Sequence, residues 1–354
     1  MSPAPKPYLR NAWSMAAWAE EVGEGLVSRR ILGRRTLLMR TSGGDVVAME
    51  DRCPHRFAPL SMGERRGDEI VCGYHGLTFN AAGACVRNPY SEKIPAGGKV
   101  RAFPVVERDS VIWLWPGDPE LADPTKIPDF SFLPDSATNR TVRGYTPMKA
   151  NYQYGTDNLM DLSHIEFVHK GSFAGAGVIF AGTHSVEQDG DTLRSNWWMP
   201  GIPPPSMAAG VYPPESRVDH WLDMRWDAPA SMMLEVGATP AGEPREQGLI
   251  VHQAHILTPE SETTSHYFWG TSRGNDVESP ELDAMLLQLF SQAFDAEDKP
   301  IIEAAFENTD GGDFWGERPI FLGIDAGGTR ARRLLESLIE KEVAAQPSGI
   351  RAAR

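Results

Sequence analysis

Hydrophobic residues in the first third of the chain occur in short runs that turn-forming residues separate. Residues 35–40 (RTLLMR) and 45–50 (DVVAME) flank residues 41–44 (TSGG), a composition typical of a tight hairpin turn. Further apolar runs recur at intervals of roughly ten residues, at 69–72, 77–80, 100–107 and 111–115. The pattern predicts an all-β region over residues 1–118, built as a small sandwich or barrel.

The chain changes character after position 118. Residues 119–139 are rich in Pro and Asp and lack periodicity, which predicts a linker. Beyond it, strand patterns occur at 193–199, 220–226, 232–236, 249–257 and 266–269, and helical patterns at 157–168, 280–305 and 329–342, the last after a Gly327-Gly328 break. The expected fold class is α+β, with an antiparallel sheet and helices in a C-terminal domain of residues 140–354.

Length and composition agree with two globular domains. The chain has 354 residues, more than twice the roughly 150 expected per domain. Its apolar runs are far shorter than the roughly 20 residues that span a bilayer, and the N-terminus lacks a signal-like apolar core, so we expect a cytoplasmic protein. The net charge of −14 argues against non-specific nucleic-acid binding. Three cysteines exclude a disulfide framework and fit a reducing compartment.

Two short segments each carry one cysteine and one histidine. Cys53-Pro-His55 and Cys72-Gly-Tyr-His75 could hold zinc or a [2Fe–2S] cluster. Zinc fingers generally pair like with like, whereas one Cys and one His per loop suits a Rieske cluster, with cysteines on one iron and histidines on the other. The alternative is two unrelated buried thiols and two surface histidines. Cys85 is left over and is expected to be a reduced structural thiol.

A second group of metal-ligating residue types lies within residues 157–169. His164 and His169 could supply the two imidazoles of a 2-His-1-carboxylate iron site. An ideal helix would separate their side chains by about 140°, so we expect the helix to end or distort between Ser163 and His169. Asp161 lies three residues before His164 and is placed to orient that histidine through its carboxylate. The alternative is a surface helix with ordinary histidines.

The third ligand of such a site must come from another part of the chain. Asp298, in the helical pattern 280–305, is the best candidate. Asp295, Glu297 and Glu303 are competitors on the same helix.

Together these segments resemble the Rieske non-haem iron oxygenases. CPHRFAPLS with CGYHGL is similar to their cluster motif, and NLMDLSHIEFVH is similar to their iron motif. AHILTPESETTSHYFWG and GIDAGGTRARR are similar to the aromatic demethylases of the dicamba and vanillate O-demethylase type, with chloroacetanilide N-dealkylation as a related activity. The resemblance covers nearly the whole chain.

The resemblance implies a role for each candidate residue. It implies a helix-grip C-terminal domain, cluster ligands Cys53, His55, Cys72 and His75, and iron ligands His164, His169 and Asp298. It also implies that Asp161 bridges a cluster histidine, His75, to His164, with Asn158 nearby. Because the cluster of one subunit serves the iron of the next in this family, Asp161 would lie at the interface of a head-to-tail homotrimer.

The activity that the resemblance implies is O2-dependent oxidative O- or N-dealkylation of an aromatic compound, as in the catabolism of xenobiotics. A carbon attached to O or N is hydroxylated, and the resulting hemiacetal or carbinolamine collapses to release an aldehyde. Electrons would come from a separate ferredoxin or NAD(P)H-dependent reductase. Ring hydroxylation without dealkylation is the alternative within enzymes; a Rieske electron carrier and a structural zinc protein are alternatives of other classes.

Three positions bear on the substrate. Enzymes of the dicamba type place a His, an Asn and a Trp in the pocket; here His255 keeps the first, while Glu235 and Leu289 fall where the others would be. A carboxylate from Glu235 would repel a benzoate, so the sequence favours a neutral aryl ether or an N-alkoxyalkyl anilide. Around the cluster loops, basic side chains could dock an acidic ferredoxin or simply be a solvated face; they are Arg52, Arg56, Arg65 and Arg66.

Overall fold

A computed structural model describes residues 8–170, 172–173, 177–208, 210–274, 277–309 and 312–345. The chain forms two compact units, Met1–Ile127 with Thr258–Glu262, and Pro128–Leu257 with Thr263–Arg354. The division at Ile127 falls within the stretch 119–139 that was predicted as a linker. Among the described residues, no helix is long and apolar enough to cross a membrane.

The first unit is built from three antiparallel sheets. Their strand orders are β1-β11-β10, β2-β3-β4-β9 and β5-β6-β7-β8. The strands are β1 Ser14–Trp18, β2 Val27–Ile31, β3 Arg34–Arg40, β4 Val46–Glu50, β5 Glu64–Arg66, β6 Glu69–Val71, β7 Thr78–Asn80, β8 Cys85–Arg87, β9 Ala102–Phe103, β10 Val105–Arg108 and β11 Val111–Leu114. The predicted hairpin is β3–β4, with Arg40 opposite Val46. The all-β prediction for this region is confirmed.

The cysteines of the two Cys-His segments belong to the hydrophobic core of the first unit. Cys53 and Cys72 pack there with Met49, Leu60 and Phe79, all fully or almost fully buried. The short connection Thr258–Glu262 completes the unit, because its carbonyls accept hydrogen bonds from the backbone of Leu32 and Gly33 at 2.8 and 3.0 Å. No local pattern in the sequence indicates this long-range pairing.

The second unit contains a seven-stranded sheet in the order β12-β18-β17-β16-β15-β14-β13. The strands are β12 Arg140–Met148, β13 Thr183–Asp189, β14 Thr192–Ile202, β15 Val218–Asp227, β16 Ser231–Pro240, β17 Leu249–Pro259 and β18 Ser265–Arg273. The five inner strands coincide with the predicted ones. The two edge strands, β12 and β13, were not predicted, because exposed polar residues interrupt their apolar pattern. The α+β fold class is confirmed.

The helical pattern at residues 157–168 is divided into three pieces. Helix α1 spans Tyr152–Met160, a 3₁₀ turn spans Leu162–His164, and helix α2 spans Ile165–Val168. The break lies at Asp161 (φ −119°, ψ 87°), two residues before the stretch where distortion was expected. Asp161 terminates α1 and caps the next turn by accepting a hydrogen bond from the backbone of Ser163 at 3.0 Å.

The long helix predicted at residues 280–305 consists of three consecutive helical segments. Helix α3 spans Pro280–Ser291, a π-helical segment spans Gln292–Asp298, and helix α4 spans Lys299–Glu307. Single π turns in α-helices are frequent at functional sites. Such a turn changes the face of the helix on which the following side chains lie. Asp298 is the last residue of this segment.

The C-terminal helix, α5, spans Ala326–Ala345 and includes both glycines that were expected to precede it. That expectation was wrong because the glycines serve packing. A Cβ atom at Gly327 would lie 2.8 Å from the Met160 carbonyl oxygen, and one at Gly328 would lie 3.2 Å from Oδ1 of Asp157. The absence of side chains therefore lets α5 approach α1 closely.

Candidate functional site

The two Cys-His segments of the first unit have the same backbone design. In each loop the residue four positions after the cysteine, Phe57 or Gly76, donates its N–H to the cysteine carbonyl at 2.9 Å. Both closing residues have positive φ, 63° for Phe57 and 72° for Gly76. The N–H of Cys53 and of Cys72 donates to a carbonyl five residues on, at 2.9 and 2.8 Å. The two loops therefore share one backbone design, although the histidine follows the cysteine by two residues in the first and by three in the second.

The side chains of these loops meet in like pairs. Cys53 and Cys72 are both buried, and burial together with the neighbouring Cys72 thiol raises the pKa of Cys53 to about 11. The rings of His55 and His75 lie 4.5 Å apart, closer to the surface than the thiols. A thiol pair and an imidazole pair match the donor set of a Rieske cluster, with cysteines on one iron and histidines on the other.

The basic residues near these loops are mostly engaged within the chain. Arg65 donates to three main-chain carbonyls at 2.6–2.8 Å, and Arg66 pairs with Glu64 at 2.7 Å. The guanidinium of Arg52 lies 4.0 Å from the ring centre of Phe57. Arg65 therefore has a structural role, and the docking of an acidic ferredoxin at these arginines stays a prediction.

In the second unit, one carboxylate and two imidazoles converge. Nε2 of His164 lies 3.5 Å from Oδ1 of Asp298, and Nε2 of His169 lies 3.3 Å from Oδ2 of Asp298. One donor atom from each of the three residues lies within 4.8 Å of the others, as a shared metal ion would require. Asp298 and His169 are buried. The arrangement has the composition of a 2-His-1-carboxylate site.

Hydrogen bonds fix which nitrogen each histidine presents. Nδ1 of His164 donates to the backbone carbonyl of Asp161 at 2.6 Å, and Nδ1 of His169 donates to Oε2 of Glu297 at 2.8 Å. Both rings therefore offer Nε2 towards Asp298. Burial lowers the pKa of His164. Burial also acts to lower the pKa of His169, but Asp298 and Glu297 outweigh it and raise that pKa.

The structure corrects the prediction for Asp161. Its carboxylate accepts hydrogen bonds from the backbone and hydroxyl of Ser163 at 3.0 and 2.7 Å, and it is the main-chain carbonyl that holds His164. The orienting group is thus the backbone of this residue. The side chain, half-buried, serves the turn.

The competing carboxylates have other partners. Asp295 accepts a hydrogen bond from Thr146 at 2.6 Å, and Glu303 accepts one from the backbone of Lys149 at 2.7 Å. Glu297 touches His169 and so supports a ligand candidate. Asn158 donates from Nδ2 to Oδ1 of Asp298 at 3.2 Å, which places this predicted residue beside the site.

A cavity of about 470 Å³ opens onto His164, His169 and Asp298. Its walls are largely apolar, with side chains from α3 and from the inner strands of the sheet. Two of the three predicted substrate residues, His255 and Leu289, line it. A site of this size and lining suits an aromatic molecule that is bound largely out of water.

The third predicted substrate residue, Glu235, does not line the cavity. Its neighbours on β16, Leu234 and Val236, do, and alternate residues of a strand point to opposite faces. Glu235 instead accepts a hydrogen bond from Nε1 of Trp221 at 2.8 Å and lies 3.4 Å from Nε2 of His252. The prediction that Glu235 lies in the pocket was wrong, because on β16 the residues on either side of it face the cavity.

His255 is a neutral, internally bonded histidine. Burial lowers its pKa to about 3. Its Nε2 lies 3.3 Å from Oε1 of Gln253, which can only accept, so Nε2 carries the proton. Its Nδ1 then accepts from the hydroxyl of Tyr267 at 2.6 Å, and burial raises the pKa of that hydroxyl well above its usual value.

Family models match both units. Residues 12–104 match the Rieske [2Fe-2S] domain, and residues 148–341 match the vanillate O-demethylase oxygenase C-terminal domain. This chain belongs to the vanillate O-demethylase family of Rieske oxygenases. As such it is an oxidoreductase that carries a Rieske [2Fe–2S] cluster and a non-haem iron site, and it is the oxygenase component of an aromatic O-demethylase or N-dealkylase family. An oxygenase component works with a separate reductase.

Relatives cover almost the full chain. The oxygenase component of dicamba O-demethylase from Stenotrophomonas maltophilia is 40% identical, over 95% of this chain and 99% of that protein. The oxygenase component of chloroacetanilide N-alkylformylase from Rhizorhabdus wittichii is 38% identical, over 95% and 97%. The crystal structure of dicamba monooxygenase bound to 3,6-dichlorosalicylic acid superimposes with a TM-score of 0.90 at 40% identity, covering 96% of this chain and all of that one.

Proposed function

We propose that this Rieske oxygenase removes an O- or N-alkyl group from a neutral aromatic compound. The observation that carries the proposal is the apolar cavity that opens directly onto His164, His169 and Asp298. The reaction consumes O2, electrons and protons, and it yields a phenol or anilide, an aldehyde and water. An O-demethylase and an N-alkylformylase among the relatives support either type of alkyl group.

The residues that hold the metals are part of the proposal. Cys53, His55, Cys72 and His75 would hold the cluster, and His164, His169 and Asp298 would hold the iron. The paired thiols and imidazoles, and the convergence of three donor atoms within 4.8 Å, support this assignment. Bound at the second site, iron supplies the activation of O2.

The chain's own residues orient and shield this chemistry. Glu297 and the Asp161 carbonyl fix the two imidazoles, and Asn158 donates a hydrogen bond to Asp298. Phe290 and Phe294 of the helix that carries Asp298 cover the site with apolar surface. Excluding water strengthens each of these polar contacts. The enclosing apolar surface would also hold the substrate carbon close to the bound iron.

The case for a neutral substrate rests on the charges of the cavity wall. The earlier reason, a carboxylate from Glu235, does not hold. Among the described lining residues, Arg273 is the one Lys or Arg, and it already pairs with Asp283 at 2.5 Å. His255 is neutral, and both of its ring nitrogens have partners. A benzoate would therefore find no unengaged cation in this wall.

The assembly is proposed to be a homotrimer that receives electrons from a ferredoxin or an NAD(P)H-dependent reductase. The exposure of His55 and His75 and the half-buried side chain of Asp161 support the proposal that these residues contact another chain. We propose Asp161 as the residue that a neighbouring subunit's cluster approaches. Sedimentation should give a trimer, and Asp161→Asn should slow turnover strongly without loss of either metal; a monomer with full activity would contradict this.

Product analysis with the reconstituted system tests the function. The probes are anisole, N-methylacetanilide and 4-methoxybenzoate, with reductase, NADH and O2. We expect formaldehyde in step with O2 uptake for the first two and little for the acid. A hydroxylated ring that retains its alkyl group, without aldehyde, would show that the alternative, ring hydroxylation, is correct.

A further inference from the structure

The cavity is much longer than a single aromatic ring. On the helical side its lining residues run from Leu282 to Asp298, a separation that corresponds to roughly 24 Å at 1.5 Å per residue. On the sheet side they run from Leu249 to His255 on β17, or roughly 20 Å at 3.3 Å per residue. Both walls therefore give a similar length for one continuous cavity.

His220 lies at the end of this cavity that is remote from Asp298. It pairs with Ala238 on β16, and Ala238 pairs with Leu249 on β17. His220 is therefore level with Leu249, whereas His255, six residues along β17, is the histidine whose electrostatic environment includes Asp298. His220 and His255, the two lining histidines that lie on strands, therefore mark opposite ends of the sheet-side wall.

The chemistry of His220 is fixed by the hydrogen bond of its Nδ1. The residue is 6% exposed, and its Nδ1 lies 2.7 Å from the carbonyl oxygen of Gly237. A carbonyl only accepts, so Nδ1 carries a proton, and burial lowers the pKa of the ring, which keeps it neutral. Nε2 is then a hydrogen-bond acceptor.

The remaining nitrogen of His220 faces the cavity. Within the described part of the chain, no group forms a hydrogen bond with Nε2, and Nε2 is not among the sealed polar atoms that lack a partner. The wall next to it is aliphatic, formed by Leu222, Val236 and Leu249. A lone acceptor in an apolar wall favours a ligand that brings a donor to that point.

We propose that the substrate is an elongated aromatic ether or anilide that carries a hydrogen-bond donor, a phenol O–H or amide N–H, at the end remote from the oxidised carbon. Nε2 of His220 accepts from that donor and sets the specificity. This substrate class rests on the dealkylation proposed above. A single ring would fit in the region next to Asp298, and the proposal assigns substrate binding to the remote part of the cavity as well.

Four probe compounds separate the effect of ligand length from the effect of the hydrogen-bond donor. 4-(4-Methoxyphenoxy)phenol has two rings and a distal O–H, and 1-methoxy-4-phenoxybenzene lacks the O–H. The single-ring pair is 4-methoxyphenol and anisole, which are too short to reach His220 with the methoxy group near Asp298. Binding is measured by calorimetry on the metal-loaded protein, and turnover by formaldehyde release.

The variants are His220→Leu, His220→Gln, which keeps an acceptor, and Met224→Leu, an apolar control on the same strand that does not line the cavity. We expect the wild type to bind the two-ring phenol about tenfold more tightly than the two-ring ether, with no such ratio for the single-ring pair. His220→Leu should abolish the ratio, His220→Gln should retain part of it, and Met224→Leu should leave it unchanged.

The outcomes distinguish this proposal from the proposed function. A wild type without the two-ring preference, or a preference that survives in a folded, metal-loaded His220→Leu protein, overturns the role of His220. Formaldehyde from the ethers would in that case leave the dealkylation intact. If the binding ratio changes among the variants as expected but no probe releases formaldehyde, the proposed dealkylation is contradicted. The role of His220 in binding the hydrogen-bond donor is then still supported.

Discussion

Nδ1 of His169 lies 2.8 Å from Oε2 of Glu297, the residue immediately before Asp298 in the chain. The same carboxylate oxygen accepts a hydrogen bond from Ser172 at 2.6 Å. Adjacent residues of the π-helical segment thus approach one imidazole from two sides, Glu297 at Nδ1 and Asp298 at Nε2. A carboxylate behind a metal-binding histidine orients the ring and increases its basicity.

Substitution of Glu297 should weaken the iron site. Glu297→Ala removes the support of His169, and we expect a 10- to 100-fold, order-of-magnitude loss of iron affinity with the cluster unaffected. Glu297→Gln should lose less, because it keeps an acceptor for Nδ1. Metal analysis after dialysis against graded chelator measures the effect.

Glu303→Gln is the matched control, because Glu303 lies on the same helical stretch but bonds the backbone of Lys149. Equal iron affinity in Glu297→Ala and Glu303→Gln would show that the Glu297 contact has no function.

The ion pair between Arg332 and Asp157 should be important for stability. Arg332 donates to both carboxylate oxygens at 2.6–2.9 Å and lies 4.1 Å from the ring centre of Phe314. We expect Arg332→Met to lower the free energy of unfolding by about 3 kcal/mol, since it leaves a partly buried carboxylate without its partner. Urea denaturation measures this.

The double variant Asp157→Asn with Arg332→Met isolates the pair. Its loss of stability should be smaller than the sum of the two single losses. Strict additivity would mean that the two side chains do not interact in solution.

The face of β16 can be tested with neighbouring substitutions. Because Glu235 lies on the side of the sheet away from the cavity, Glu235→Gln should leave KM for anisole within about twofold. Leu234→Asn puts a polar group into the apolar wall and should raise KM about tenfold. A KM that changes in Glu235→Gln and stays the same in Leu234→Asn would contradict the register of this strand.

The comparison with the sequence shows which features local patterns determine. Hairpin β3–β4 and the inner strands follow from alternation and turn residues within short windows. Glu235 was assigned to the pocket from the sequence, but a strand has a period of two, and the two residues that flank Glu235 are the ones that face the cavity. His220 could have been identified from the sequence. It takes one of the alternate positions of β15 whose other residues are apolar, namely Val218, Leu222 and Met224.

Other features depend on contacts that are distant in sequence. The break at Asp161 depends on one side-chain cap, and the π-helical segment before Asp298 leaves no periodic signature. Gly327 and Gly328 resemble a helix break in sequence, and only the approach of α1 explains why they lie inside α5. Such tertiary effects override local preference.

Stability should fall as the solution becomes acidic. Burial lowers the pKa of His255 to about 3 and also lowers the pKa of His220. Unfolding frees these rings to bind protons near pH 6.5, so the unfolded state gains protons that the folded state lacks. Stability is therefore full above about pH 6.5 and falls below it, by up to about 1.4 kcal/mol per pH unit for each histidine.

Denaturation of wild type and His255→Gln at pH 7.5 and pH 5.5 checks this dependence. The variant should be less stable at pH 7.5, and the gap should narrow at pH 5.5. A gap that widens on acidification would mean that His255 is protonated in the folded protein.

Iron content, measured together with the electron paramagnetic resonance of the reduced cluster, tests the assignment of His164, His169 and Asp298 most directly. Wild type should contain about three iron atoms per chain, and Asp298→Ala about two, with an unchanged Rieske signal. If folded Asp298→Ala protein kept its third iron and its dealkylating activity, these three residues would not be the iron site.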